Sequence, residues 1–181
     1  AVDKPMDIFG PAWEGHPRKI RQAWLDTVGP DDVVLVPGDI SWAMRISEAE
    51  PDFAFLGELP GTKVITRGNH DYWWSSLSKV RQALPPSVIP LQNNSVVFGG
   101  VGIAGTRLWI DPSLQLEQAS GDDGKIWERE LQRLELSLGS LPGGLEKKII
   151  IGKSLNGCVV KNIKYIGVLA SPMHLRMVFT E

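Results

Sequence analysis

The chain is short of the residues that would commit it to a disulfide scaffold, a membrane or a nucleic-acid duplex. It has one cysteine, Cys158, which rules out an internal disulfide and suits a cytoplasmic protein. No apolar run approaches the roughly 18 residues of a spanning helix. Residues 163–170 are too few and sit among Lys161 and Lys164. Basic residues are in no excess: 19 Lys and Arg stand against 21 Asp and Glu, for a net charge of −2. Nothing is therefore spare to neutralise the phosphates of a duplex or a membrane surface. Histidine is scarce, with only His16, His70 and His174. No signal peptide is visible, and the opening on Ala1 rather than Met leads us to expect a missing upstream segment.

What is present reads as one domain. At 181 residues, 43% hydrophobic and 22% charged, the chain can bury a sizeable core. Seven tryptophans suggest aromatic walls around a site. Residues 1–12, with two prolines and no period, read as a loop. Ile20, Trp24 and Val28 recur every four residues and predict a helix over 16–28, ended by Gly29-Pro30. Val33-Val34-Leu35-Val36 is a buried strand broken by Pro37-Gly38-Asp39. A helix over 47–56 follows, then the strand Lys63-Val64-Ile65-Thr66 and a helix over 74–84. That alternation is a parallel α/β pattern.

Beyond it the pattern changes. Ser95–Phe98 and 101–104 form a hairpin around Gly99-Gly100. Residues from Asp111-Pro112 through Gly124 form a long loop. Trp127, Leu131, Leu134 and Leu138 mark a helix, and 147–151 a further buried strand. After Ile151 no clean period is left.

Two strand ends carry the chemistry. Asp39 follows the first strand, and Gly68-Asn69-His70-Asp71 follows the second. Open α/β sheets place ligands at that end of their strands. A carboxylate and an amide oxygen are hard ligands for divalent metals, and a carboxylate can bridge two. His70 could then give a proton to a leaving oxygen, with Asp71 fixing the imidazole and favouring its charged form. Blander readings exist for each half: Gly-Asp is a common helix N-cap, and Asn-His-Asp can be turn chemistry. Their pairing at a βαβ interval favours function.

Other motifs lack their context. Gly100-Val101-Gly102-Ile103-Ala104-Gly105 matches a dinucleotide fingerprint with no helix after it, so it reads as hairpin packing. Ser76-Leu77-Ser78-Lys79 lacks the companions of a serine–lysine site and reads as an exposed helical turn. Core packing is the default for Trp42, Trp73 and Trp74, with a pocket wall the lesser reading. Arg45 and Arg67 read as solvated, as does His16, and His174 reads as structural.

Val36-Pro37-Gly38-Asp39 and Arg67-Gly68-Asn69-His70-Asp71 resemble two blocks of the calcineurin-like metallophosphoesterases. The fuller strings Pro5-Met6-Asp7-Ile8-Phe9-Gly10 and Gly68-Asn69-His70-Asp71-Tyr72-Trp73-Trp74 resemble a bacterial subgroup. The likeness covers about residues 2–151 and implies an α/β/β/α sandwich. By resemblance, Asp39 bridges two metals (Mn, Fe or Zn) and Asn69 binds the second. His70 contacts phosphate or protonates the leaving group, with Asp71 behind it. A metal-bound hydroxide would attack phosphorus in a phosphomonoester or phosphodiester, a small molecule or a nucleotide.

The family also opens on Asp-x-His, has a His after the strand equivalent to 147–151, and closes on Gly-His-x-His. None of these occurs here. The sequence thus divides into a partial metallophosphoesterase domain, 1–151, and a divergent tail, 152–181. It looks cut at its N-terminus, and a shifted reading frame would explain the tail. Weak metal binding and little turnover are expected, with a sheet edge left open where the first strand is missing. A non-catalytic relative is the second reading, and a nucleotide-binding α/β module the third.

Overall fold

The β-branched run Val33–Val36 forms strand β1, and Thr62–Thr66 forms β2 parallel to it, with Val36 beside Ile65. In this computed structural model, which describes residues 8, 10–109, 122–154, 157–159, 167–171 and 174–178, the two strands end at the same level. Helix α1 (His16–Leu25) precedes β1, α2 (Ile46–Glu58) joins β1 to β2, and α3 (Leu77–Ala83) leads into β3 (Val88–Leu91). Strands β4 (Ser95–Phe98) and β5 (Val101–Thr106) pair as the expected hairpin. Helix α4 (Asp123–Gly139) and strand β6 (Lys147–Ser154) follow, and β7 (Gly157–Val159), β8 (Gly167–Ser171) and β9 (His174–Val178) complete the described elements.

The strands make two sheets, ordered β3-β2-β1-β9-β8 and β4-β5-β6-β7. Side chains alternate across a strand, and the core divides accordingly. Val34 and Ile65 face the helices and pack with Trp24, Phe53, Leu56, Trp73, Trp74 and Val80. Their neighbours Leu35 and Val64 face the second sheet and pack with Leu91, Ile103, Ile149 and Ile151. Helix α4 contacts β5 and carries buried residues bonded to the end of that strand. The architecture is therefore the α/β/β/α sandwich the sequence implied, partial in this chain.

Several elements differ from their expected form. β3 escaped detection because Pro85-Pro86 precedes it and Pro90 lies within it. Proline removes a ladder donor and is tolerated at a sheet edge, where β3 stands. α3 begins at Leu77, not Trp74, because Trp73 and Trp74 belong to the motif loop and bury their rings in the core. α4 is a helix, yet its buried residues are Asp123, Glu130 and Ser137, not the expected leucines; Leu131 is 37% exposed. Spacing of seven puts those three on one stripe, and each is bonded to the strand end or loop beneath it.

The tail supplies strands to both sheets: β7 pairs with β6, and β9 pairs antiparallel with β1 through Val34–Val178 and Leu35–Met177. The edge of β1 is thereby covered and not left open. The side chains of Cys158 and His174, residues 1–7, and most of the expected 111–124 loop lie outside the described residues.

The glycine-rich match at 100–105 is strand packing. A Cβ on Gly102 would reach Leu141 at 2.7 Å, and one on Gly105 would strike Ile151 of the neighbouring strand. Ser76 stands at the N-cap position of α3 without a side-chain capping bond, and Ser78 and Lys79 are exposed there.

Lys63 is fully buried in β2. Its ammonium donates to Leu59 O at 2.7 Å, Gly61 O at 2.8 Å and Ser87 Oγ at 3.0 Å, tying the end of α2 to the loop before β3. Burial pulls its pKa below the ordinary value. Lys63→Met keeps the volume and strands those acceptors. Urea unfolding should show a loss of about 2 kcal/mol.

Candidate functional site

The motif residues sit where β1 and β2 end. Gly38 (φ +98°) turns the chain out of β1, and a Cβ there would strike the backbone of Gly68 and approach the Arg67 carbonyl carbon to 2.8 Å. A Cβ on Gly68 would strike Asp39 in return. The two loops are thus in backbone contact, which only glycine at both positions permits. Asp39 itself holds a left-handed φ of 55°, a conformation that a short polar side chain tolerates and that concentrates at functional sites.

Hydrogen bonds clasp the loops together. Asp71 is fully buried. Its Oδ2 accepts the N–H groups of Asp39 at 2.8 Å and Gly68 at 2.7 Å. Its Oδ1 accepts those of Ile40 at 2.8 Å, Ser41 at 3.1 Å and Trp73 Nε1 at 3.0 Å. Asp39 Oδ1 accepts the His70 N–H at 3.1 Å. Each carboxylate therefore binds the other's loop. Burial pushes the Asp71 carboxyl above its ordinary pKa, and the donors on Ser41, Gly68, Trp73 and Ile40 pull it back.

This geometry corrects one assigned role. Both oxygens of Asp71 are occupied by the donors above, so Asp71 shapes the loops and does not hold the His70 imidazole. The ring is positioned by stacking on Trp42, with centroids 4.8 Å apart and planes 22° apart, and by the edge of Tyr72 at 6.2 Å. Trp42 is half-buried and stacked on His70, while Trp73 and Trp74 are core. Trp42→Ala should remove the ring-current shift on the His70 ring protons by NMR and cost about 1 kcal/mol in stability.

Asp39 is buried at 8% exposure, and Asn69 and His70 are half-buried in the facing loop. Asp39 and Asn69 offer two oxygen ligands. A zinc site takes about four and an octahedral manganese site about six. Among the described residues, no three of His, Cys, Asp and Glu come together as a metal-binding group. Asp39 also has one oxygen committed to His70 N–H. The described residues therefore do not by themselves fit a dinuclear centre. His16 opens α1, half-buried with its ring 5.0 Å from Trp13, and not fully solvated.

Of the two arginines, one differs from expectation. Arg45 is solvated, 3.9 Å from Glu48. Arg67 is half-buried, with its Nε shielded from solvent. Burial lowers its pKa, opposed by Asp71 and then Glu130. The one sequence signal for Arg67 was its position directly before Gly68; Arg107 and Glu130 carried none.

No curated protein and no solved structure matches the chain. The sequence model of the calcineurin-like phosphoesterases matches residues 13–152, a span that contains Gly38-Asp39, Gly68-Asn69-His70-Asp71 and both sheets up to β6. With that span covering most of the sequence and the sandwich in place, the chain belongs to the calcineurin-like phosphoesterase family.

Proposed function

We propose that the chain carries the phosphate-handling half of a metal-dependent phosphoesterase and is impaired as a catalyst. Support comes from the clasp that brings Asp39 and Asn69-His70 into contacting loops. In this reading Asp39 and Asn69 are the metal ligands. His70 contacts a phosphate oxygen or gives a proton to the leaving oxygen, held in place by Trp42. Asp39 and Asn69 would hold a divalent metal, whose chemistry would be to polarise a phosphoryl oxygen and activate a water. The deficit lies in its remaining ligands. Substrates are phosphomonoesters or phosphodiesters, small molecules or nucleotides, and duplex nucleic acid is not among them.

The second reading, a non-catalytic relative, draws on the same shortage of ligands among the described residues. Hydrolysis of p-nitrophenyl phosphate and bis-p-nitrophenyl phosphate in Mn²⁺ separates the outcomes. Slow turnover that His70→Asn abolishes supports an impaired enzyme. No turnover above buffer supports the non-catalytic relative. Robust turnover shows that the deficit is wrongly assigned.

A further inference from the structure

A polar cluster lies beside the motif, between the carboxyl ends of β2 and β5. Glu130 of α4 is fully buried. Its Oε2 accepts from Thr106 Oγ1 at 2.7 Å, and its Oε1 accepts from Arg133 Nη1 at 2.7 Å. Arg67 and Arg107 stand close enough to interact electrostatically with Glu130, Arg129 and Arg133, and Arg107 also with Arg67. Arg133 is thus bonded to the buried carboxylate, Arg67 and Arg107 stand within electrostatic range of it, and Asp71 also acts on Arg67.

The carboxylate does not satisfy them all. Glu130 already binds Thr106 and Arg133, while the Nε groups of Arg67 and Arg107 and the hydroxyl of Thr66 are buried with no hydrogen-bond partner among the described residues. Buried donors are normally paired. The guanidinium of Arg107 lies 4.0 Å from the Trp109 ring centroid. That contact occupies its face, and its Nε is left without a partner among the described residues. Burial and then the charge of Arg67 lower Arg107 to about 10, so it stays cationic at neutral pH. Unmet donors, surplus positive charge and planar forks are what an oxyanion satisfies.

We propose that Arg67 and Arg107 form an oxyanion subsite for a phosphoryl dianion, distinct from the group handled by His70. Arg67 directly precedes Gly68-Asn69-His70, so the subsite adjoins the candidate site. On the phosphoesterase reading, on which this step rests, the substrate carries a second phosphoryl group, as a nucleoside diphosphate or a bisphosphate does.

The probe is inorganic phosphate, titrated calorimetrically into the full chain in EDTA, where no metal contributes. Phosphate should bind, and Arg67→Gln and Arg107→Gln should each weaken it at least about tenfold. Lys79→Gln, exposed on α3 and outside both sites, should leave it within about twofold. In the native chain, the Nε–H resonances of Arg67 and Arg107 should shift on phosphate addition, a readout that needs no variant to fold. The subsite is overturned if those resonances stay put, if the arginine variants bind as the native chain does, or if acetate binds as tightly as phosphate. It is also overturned if His70→Asn abolishes binding, an outcome that leaves the phosphoesterase reading intact. Arginine-dependent phosphate binding in a chain without esterase turnover has the opposite meaning: the subsite stands and the catalytic reading falls.

Discussion

Asp71→Ala should destabilise the chain by more than about 4 kcal/mol and abolish any function that depends on the two loops. The substitution removes the acceptor from the N–H groups of Asp39, Ile40, Ser41, Gly68 and Trp73 at once. Each buried donor left without a partner costs about 1–3 kcal/mol, and partial relaxation keeps the sum below the simple total. Asp71→Asn separates charge from shape. The amide retains one acceptor oxygen but points N–H groups at donors that need an acceptor, so a loss of about half the alanine effect is expected. Urea denaturation of the three proteins measures both. A near-neutral Asn variant would show that Asp71 is protonated in the native state, the direction in which burial pushes it.

Gly68→Ala should rank next, at about 3 kcal/mol, with the site lost in the same step. Its Cβ would enter the space of the Asp39 backbone nitrogen and come within 2.9 Å of the carboxylate carbon. Neither is a flexible side-chain end, so the loops must part. The Asp39–His70 hydrogen bond and the Trp42–His70 stack should go together, and the His70 ring protons should lose their ring-current shift. Gly124→Ala is the control: nothing lies within 4 Å of a Cβ there, and its helical position makes alanine neutral or stabilising by up to about 1 kcal/mol. Equal losses at Gly68 and Gly124 would show that the close approach of the loops is not what Gly68 serves.

These two residues also mark what could be read from the sequence. Gly68 and Asp71 were visible as part of a motif at a strand end, because β-branched runs announce β1 and β2 and a glycine announces the turn. What a carboxylate binds is not written in the motif. Asp71 follows His70, and adjacency suggested that it holds the imidazole; the fold instead turns it inward to backbone donors thirty residues earlier in the chain. The bond from Asp71 to Ser41 spans 30 positions, beyond the reach of any local pattern.

The same limit explains α4. Its leucine spacing located the helix correctly, but the side it buries is polar because Thr106, Trp109 and Gly105 offer Glu130, Asp123 and Ser137 specific partners. Tertiary hydrogen bonds there outweighed hydrophobic periodicity. Arg67 read as a surface residue for a related reason: it is half-buried and within electrostatic range of Glu130 and Arg133 on α4, which no local pattern announces. β9 was illegible because pairing with β1, not periodicity, defines it. The missing Asp-x-His and Gly-His-x-His strings, by contrast, needed no structure to notice, and the described residues supply no replacement group of ligands.

The central claim is that the clasped loops survive while the metal centre is incomplete. Calorimetric titration of Mn²⁺ into the metal-free chain tests it most directly. Expected is weak binding, well short of two tight sites, that Asp39→Asn and Asn69→Ala reduce further without unfolding the chain. Two tightly bound metals per chain, in a protein that then turns over phosphate esters rapidly, would contradict it.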